Sequence, residues 1–228
     1  MADKPDGARR MNLAEQIDGY CERLDFSFWA EPVNAVTNLA FIVAAVIMWR
    51  RSAGVPLARA LAAVLFAIGI GSFLFHTLAT VWAAMTDTVP ILGFILLYLF
   101  AVHRDVLGWP GWAAGLATAG FLPYAAGITF LLSDVPFFAV SSFYWTVPIL
   151  LVIYGAVLRR RFPVLVRGFA VGAAILTLSI TARSLDETLC AAFPVGTHLF
   201  WHLLNAVMLG WMIEIYRRHM LEGRAAGR

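Results

Sequence analysis

Charged side chains are scarce in this 228-residue chain, and lysine is nearly absent. Only 14% of the residues are Asp, Glu, Lys or Arg, 61% are hydrophobic, and the mean hydropathy is +0.78. Soluble domains carry about 25% charged and about 45–50% apolar residues. The sequence therefore predicts an integral membrane protein. Its one lysine is Lys4, which excludes a retinal protein, because the Schiff base needs a lysine within a span.

The chain also lacks internal repeats, low-complexity tracts and Ser- or Gly-rich linkers. The missing repeat argues against an inverted-repeat transporter. Residues 1–25 are polar and acidic with no apolar run, so we expect no cleavable signal peptide. We expect three parts: an acidic N-terminal segment over 1–33, a membrane domain over 34–217 and a cytoplasmic tail over 218–228.

Apolar stretches long enough to cross a bilayer predict the fold class, an all-α, polytopic seven-transmembrane helix bundle. The predicted spans are 34–50, 56–79, 86–103, 110–132, 141–159, 164–184 and 196–216. Proline and glycine separate several of them, as at Pro110 and Gly111 or Pro194 and Gly196.

Arginine predicts the orientation, with the N-terminus outside and the C-terminus cytoplasmic. In this arrangement 12 of the 17 Lys and Arg residues lie in inner segments, although the cluster of Lys4, Arg9 and Arg10 lies outside. Short loops and Arg-rich ends favour a bacterial inner membrane, with the outer helix ends facing the periplasm. Anionic lipid headgroups account for the basic residues, and no basic–aromatic stripe indicates nucleic acid. The sequence does not define an oligomeric state.

Polar residues gather at the outer ends of three predicted spans. The second span ends with Ser72 and His76, one helical turn apart, and the third begins near Asp87. The seventh begins with His198 and His202, whose spacing of four places both imidazoles on one helix face. Ionisable groups inside a membrane are costly, so this convergence indicates function. Three neutral imidazoles with one open position are the ligands of a catalytic zinc.

Each of these residue types suits hydrolysis at a zinc centre. Zinc lowers the pKa of its bound water to about 7. Asp87 would transfer protons, and Ser72 would donate to a developing oxyanion. Two alternatives remain open: Ser72 bonds back to the carbonyl of residue 68, and Asp87 is a helix N-cap. Such a cap and a proton-transfer role are compatible.

The remaining two histidines, His103 and His219, lie beside arginines at the inner helix ends. We expect both to be solvated interfacial residues. A haem-binding electron carrier fits poorly, because three histidines lie at one end and none faces them at a suitable depth. A packed, hydrogen-bonded histidine is the ordinary alternative for any single one of the three.

Four carboxylates lie within residues 18–31, and at this density they suit calcium: Asp18, Glu22, Asp25 and Glu31. Their spacing is not that of an EF-hand loop. A solvated acidic face, or pairing with Arg23 and Arg183, explains them equally well. The two cysteines, Cys21 and Cys190, both lie on the predicted outer side, where an oxidising compartment would allow them to pair.

Taken together, these motifs resemble the alkaline ceramidase family, within the seven-span hydrolases that include the adiponectin-receptor-like proteins. The matching pieces are Tyr20-Cys-Glu22, Trp29-Ala-Glu31-Pro-Val-Asn34, Gly71-Ser-Phe-Leu-Phe-His76 with Asp87 eleven residues on, and Gly196-Thr-His198-Leu-Phe-Trp-His202. They run from residue 18 to beyond 202. The combination of the Ser–His–Asp spacing with the two-histidine helix is specific.

The resemblance implies a zinc-dependent amidase that cleaves the N-acyl bond of ceramide, a membrane lipid, to a sphingoid base and a fatty acid. His76, His198 and His202 match the zinc ligands, and Ser72 and Asp87 match the other polar site residues. The acidic segment matches a calcium site with Asp18, Glu22, Asp25 and Glu31 as its candidate ligands, of which Glu22 and Glu31 align directly with the family's residues. The family's Trp-Cys-Glu-Glu-Asn run reads Tyr20-Cys-Glu-Arg-Leu24 here.

The resemblance also implies that Cys21 and Cys190 occupy positions where the family can form a disulfide. The alternative function is a receptor-like or hydrolase-relative membrane protein with another acyl-lipid ligand or substrate. Retention of both Ser72 and Asp87 argues against a purely structural zinc, which would need neither.

Overall fold

A computed structural model describes residues 12–225. Its regular structure is helical throughout this range, apart from one isolated β-bridge between Gln16 and Thr80. The helices are α1 (Pro32–Thr37), α2 (Leu39–Arg51), α3 (Pro56–Leu78), α4 (Val81–Ala101), α5 (Gly111–Ala119), α6 (Phe121–Leu132), α7 (Pro136–Ala139), α8 (Ser142–Leu158), α9 (Pro163–Leu189) and α10 (His198–Ala225). A π-helical turn, Val102–Val106, extends α4. The prediction of an all-helical protein is confirmed.

Six helical segments of the described range are long and apolar enough to cross a membrane: Pro32–Arg51, Pro56–Leu78, Val81–Val106, Gly111–Leu132, Pro163–Leu189 and His198–Gly223. The first combines α1 with α2, and the fourth combines α5 with α6. The predicted span 141–159 corresponds to α8, which is apolar but has only 17 residues. These segments indicate a membrane protein with six candidate spanning helices.

Helix α4 begins five residues earlier than predicted, and this changes the place of Asp87. The N-cap is Thr80, and Asp87 lies well inside the helix, so the N-cap alternative for Asp87 is wrong. Ala79, at φ +46°, ends α3 in the left-handed conformation. Neither proline nor glycine marks this break, which explains why the sequence did not reveal it. The carbonyls of Leu13 and Glu15 accept hydrogen bonds from the first N–H groups of α4.

Helix α10 continues to Ala225, so residues 218–225 of the predicted tail extend the last helix. Glu214 on α10 pairs with Arg51 at the end of α2 and with Arg217 and Arg218 of its own helix. Arginine is therefore concentrated at the end of the bundle opposite the histidine cluster. Lys4, Arg9, Arg10 and Arg228, which entered the orientation prediction, lie outside the described residues.

The prediction that His103 is a solvated interfacial residue is wrong. Its side chain is buried in the π-helical turn after α4. The ring stacks on Trp109 and hydrogen-bonds with the hydroxyls of Thr118 and Tyr154. His103 is thus a packed residue whose ring nitrogens both have partners, because the turn folds back over α5 and α8. His219 is half-buried and packs against Phe162.

Helices α3 and α4 approach so closely that only glycine fits at their crossing. A Cβ atom on Gly71 would lie 1.9 Å from the carbonyl oxygen of Thr86. Small residues at crossings allow membrane helices to pack backbone to backbone. This contact sets Ser72, the next residue of α3, against Asp87, the next residue of α4.

Candidate metal centre and active site

Three histidines converge at one end of the bundle, between the last turn of α3 and the first turns of α10. One ligand atom from each of His76, His198 and His202 lies within 4.8 Å of the others. The ring centroids are 4.6–5.1 Å apart, and all three side chains are almost fully buried. Within the described chain, no other group of three His, Cys, Asp or Glu residues comes this close.

The hydrogen bonds of the cluster leave one nitrogen of each ring without a partner. These buried atoms are Nε2 of His76, Nδ1 of His198 and Nε2 of His202, and none has a hydrogen-bond partner among the described residues. Burying polar atoms unpaired is costly, and three such nitrogens from convergent rings are unlike ordinary packed histidines. A divalent metal would satisfy them, and zinc prefers three imidazoles with an open fourth position. The residues therefore fit zinc.

The other nitrogens of His76 and His202 are held by helix α1 and the residue before it. Nδ1 of His76 lies 2.6 Å from Glu31 Oε2, and Nδ1 of His202 lies 2.9 Å from Thr37 Oγ1. The Thr37 hydroxyl donates to the carbonyl of Val33 at 2.8 Å, so it accepts from Nδ1–H of His202. Both rings then carry their proton on Nδ1 and keep Nε2 free, as ligating histidines require.

Ser72 and Asp87 lie beside the cluster and interact with each other. Ser72 is buried one turn before His76, and its side chain lies near enough to the Asp87 carboxyl to interact with it. The Asp87 carboxyl also lies within electrostatic range of His76 and of the Arg183 guanidinium. The serine, the aspartate and the three histidines thus form one constellation.

Arg183 of α9 lies beside this constellation. It donates to the carbonyl of Val140 and to Ser141 Oγ, at 2.8 and 2.9 Å. Its guanidinium lies 5.4 Å from the ring centre of Tyr144 and 5.5 Å from that of Trp201. The aromatic faces and Asp87 together stabilise this charge. The sequence offered Arg183 only as a partner for the acidic segment.

Tyr20 covers the cluster from the N-terminal side. Its ring stacks on His198 with centroids 3.8 Å apart and lies 5.1 Å from His76. Burial raises the pKa of the Tyr20 phenol above its ordinary value. The ring therefore shields His198 as a neutral group.

Asp186 fixes both the start of α10 and the N-terminal segment. Its Oδ1 accepts from the backbone N–H groups of Thr197 and His198, at 2.6 and 2.8 Å, and its Oδ2 accepts from Cys21 N–H at 3.0 Å. A carboxylate suits the positive end of a helix dipole. A Cβ at Gly196, where φ is +73°, would lie 2.2 Å from Asp186 Oδ1. No sequence pattern indicated this role.

A disulfide ties the N-terminal segment to the loop before α10. Cys21 and Cys190 are bonded, with their Cα atoms 5.3 Å apart across a sequence separation of 169 residues. With Asp186, this bond holds Tyr20 over His198. The closed arrangement keeps the cluster away from bulk water on that side.

The four carboxylates of residues 18–31 do not converge. Glu31 pairs with Arg23 and with His76, so the arginine-pairing alternative holds for this residue. Glu22 accepts from the backbone N–H groups of Val33 and Asn34, at 2.7 and 2.8 Å. Asp25 accepts from Ser27 N–H. In residues 12–225 no three carboxylates lie at the spacing of metal ligands, so this arrangement does not fit calcium.

Two apolar cavities lie inside the bundle beside α10. One, of about 40 Å³, is lined by residues that include Trp201 and Asn205 of α10, and the other, of about 60 Å³, by residues that include Tyr154 and Met212. Four residues line both cavities: Ile95, Val147, Met208 and Leu209. Side-chain movement at these shared residues would join the two cavities into one apolar channel inside the bundle.

Comparison with known proteins gives one family. The family model for Ceramidase matches residues 17–227, a range that includes every site residue named above. No curated protein matches the chain.

Proposed function

Because this chain belongs to the Ceramidase family, we propose that it is a zinc-dependent membrane amidase. It hydrolyses the N-acyl bond of ceramide-type lipids to a sphingoid base and a fatty acid. The family implies a hydrolase that acts on an amide bond. The observation that carries the zinc assignment is the set of three buried imidazoles, each with one unpartnered nitrogen, beside the Ser72–Asp87 pair.

The chemistry divides among a few side chains. A zinc ion held by His76, His198 and His202 would supply a Lewis acid and a hydroxide at neutral pH. Asp87 takes the proton of the attacking water and passes it to the amine nitrogen as the carbon–nitrogen bond breaks. The Ser72 hydroxyl donates a hydrogen bond to the oxyanion that develops on the amide carbonyl oxygen. The positive charge of Arg183 lies near enough to stabilise the Asp87 carboxylate.

The acyl chain enters from the bilayer and occupies the apolar channel inside the bundle. Its lining is aliphatic and aromatic, and the residues common to both cavities come from α4, α8 and α10. An alkyl chain gains about 0.8 kcal/mol per buried CH₂ relative to water. A lipid in the membrane has already left water, so this gain adds little to its binding affinity. The channel therefore selects among lipid substrates by the length and shape of the acyl chain.

We propose a seven-span topology with the N-terminus outside. Helix α8 joins the six longer helical segments and is the fifth of seven spans in chain order, because its 17 residues extend about 26 Å and the hydrocarbon core is about 30 Å thick. The arginines of α2 and α10 then face the cytoplasm, and the metal centre faces the opposite side. In a bacterium this places the active site towards the periplasm from the inner membrane, where the Cys21–Cys190 bond is stable.

Release of free sphingoid base by the purified, zinc-loaded protein tests the function. A panel of N-acyl sphingoid lipids is compared with other N-acyl lipids, with His202→Ala as the inactive variant and His219→Ala as the matched control. We expect ceramide hydrolysis by the wild type and the control, and none by His202→Ala. Hydrolysis of another N-acyl lipid but not of ceramide would reassign the substrate. Binding of lipids without any hydrolysis would favour a receptor-like role.

A further inference from the structure

Arg23 stands where the family resemblance leads one to expect a calcium ion. We propose that its guanidinium is the built-in cation of the N-terminal segment, so that this protein needs no calcium. In this position Arg23 acts as a positioning residue for the metal centre, because it holds Glu31 and Glu31 holds His76.

The guanidinium of Arg23 joins three parts of the chain. Nε donates to Glu31 Oε1 at 2.5 Å, Nη1 to the carbonyl of Asp25 at 3.0 Å, and Nη2 to the carbonyl of His76 at 3.0 Å. The Arg23 and Glu31 side chains are only 1% and 3% exposed. A divalent ion bound in a loop has the same effect, because a carboxylate and backbone carbonyls coordinate its positive charge. In this protein the positive charge is that of the Arg23 side chain.

The same contacts leave little for a calcium ion to bind. Calcium takes about 6–8 oxygen ligands. One oxygen of Glu31 is used by Arg23, and the other by His76 Nδ1 and by Asn34 Nδ2 at 3.2 Å. Both oxygens of Glu22 accept backbone N–H groups. A calcium ion at Glu31 would also meet the guanidinium, and like charges in a buried place repel strongly.

The effect of Arg23 reaches the metal centre through one carboxylate. Glu31 fixes the proton of His76 on Nδ1, and Arg23 fixes both Glu31 and the carbonyl of His76 itself. Replacing a partner that orients a metal ligand costs about 10–100-fold in metal affinity or activity. We therefore expect Arg23→Gln to weaken zinc binding by about 10–100-fold, with Arg23→Lys retaining part of the affinity because it keeps the charge.

Calcium titration of the wild-type protein is the first experiment, and it needs no lipid substrate. The protein is freed of divalent ions by a chelating resin and reloaded with zinc. CaCl₂ is then added up to millimolar concentration while calorimetry follows binding and the thermal unfolding midpoint is measured. We expect neither saturable heat nor a shift of the midpoint. Saturable binding that raises the midpoint would overturn the proposal.

Zinc affinity of the variants, measured by competition with a chromogenic chelator, is the second experiment. Arg23→Gln and Arg23→Lys are compared with Arg104→Gln, whose arginine is 42% exposed and pairs with Asp105 at the far end of the bundle. We expect wild-type zinc affinity in Arg104→Gln, a loss of zinc affinity in Arg23→Gln and a partial rescue of it in Arg23→Lys. Wild-type zinc affinity in Arg23→Gln would show that Arg23 positions nothing. These readouts stay valid even if the enzyme proves to hydrolyse a lipid other than ceramide.

Discussion

Glu31 and His76 lie 45 positions apart in the chain, yet the Glu31 carboxylate meets Nδ1 of His76 at 2.6 Å. Glu31 immediately precedes α1, and His76 lies in the last turn of α3. Metal-binding histidines commonly donate their second N–H to a carboxylate, which fixes the ring and raises its basicity. The acidic residue nearest to the first predicted span therefore belongs to the metal centre itself.

Glu31→Gln tests this contact. The amide still accepts one hydrogen bond, but the charge that compensates buried Arg23 is lost. We expect zinc affinity to fall by about 10–100-fold, measured by chelator competition. Asp134→Asn, an exposed acidic position, is the control and is expected to match the wild type. Unchanged zinc affinity in Glu31→Gln would separate the carboxylate from the metal centre.

Thr37→Val tests the partner of His202. Valine has nearly the shape of threonine but leaves Nδ1–H of His202 without an acceptor. We expect zinc affinity and the hydrolysis rate to fall together, by about 10-fold or more. Thr88→Val is the matched control, because Thr88 also bonds back to a helix carbonyl but is exposed. Equal rates for both variants would show that the Thr37 hydroxyl does not orient His202.

Asp87→Asn separates proton transfer from metal binding. We expect zinc content to stay at the wild-type level while kcat falls by about 10²–10⁴-fold, the usual contribution of a general acid–base group. The acidic limb of the pH–rate profile should disappear with the carboxyl group. A wild-type rate and pH profile in Asp87→Asn would remove this residue from proton transfer.

Gly71→Ala tests the close crossing of α3 and α4. The added methyl group would meet the Thr86 carbonyl, so the helices must separate and Ser72 must leave Asp87. Overpacking of this kind costs about 1–3 kcal/mol, measured as a lower thermal unfolding midpoint with reduced activity. Gly93→Ala on α4 is the control, since a Cβ there meets nothing within 4 Å. Equal midpoints for the two variants would contradict the crossing described above.

The sequence predicts those features that depend on spacing within one helix. His198 and His202 share a face by their interval of four, and Ser72 precedes His76 by one turn. Apolar runs place these helices in a membrane. Such local patterns predict the composition of the metal cluster without any knowledge of how the helices pack.

Contacts between distant parts of the chain are the features that spacing does not predict. Asp186 caps α10, Thr37 supports His202, and Arg23 reaches the carbonyl of His76. Each contact joins elements whose relative position is set by packing alone. Sequence patterns misplace the start of α4 for a related reason, because Ala79 adopts a left-handed conformation that glycine usually signals.

Removal and restoration of zinc in one preparation tests the central claim most directly. The wild-type protein is stripped of metal, assayed for ceramide hydrolysis, and assayed again after stepwise addition of zinc. We predict no hydrolysis without the metal and full recovery at one zinc per chain, with no recovery in His202→Ala. Hydrolysis of ceramide at an unchanged rate by the zinc-free protein would contradict the assignment of the three histidines as a catalytic zinc centre.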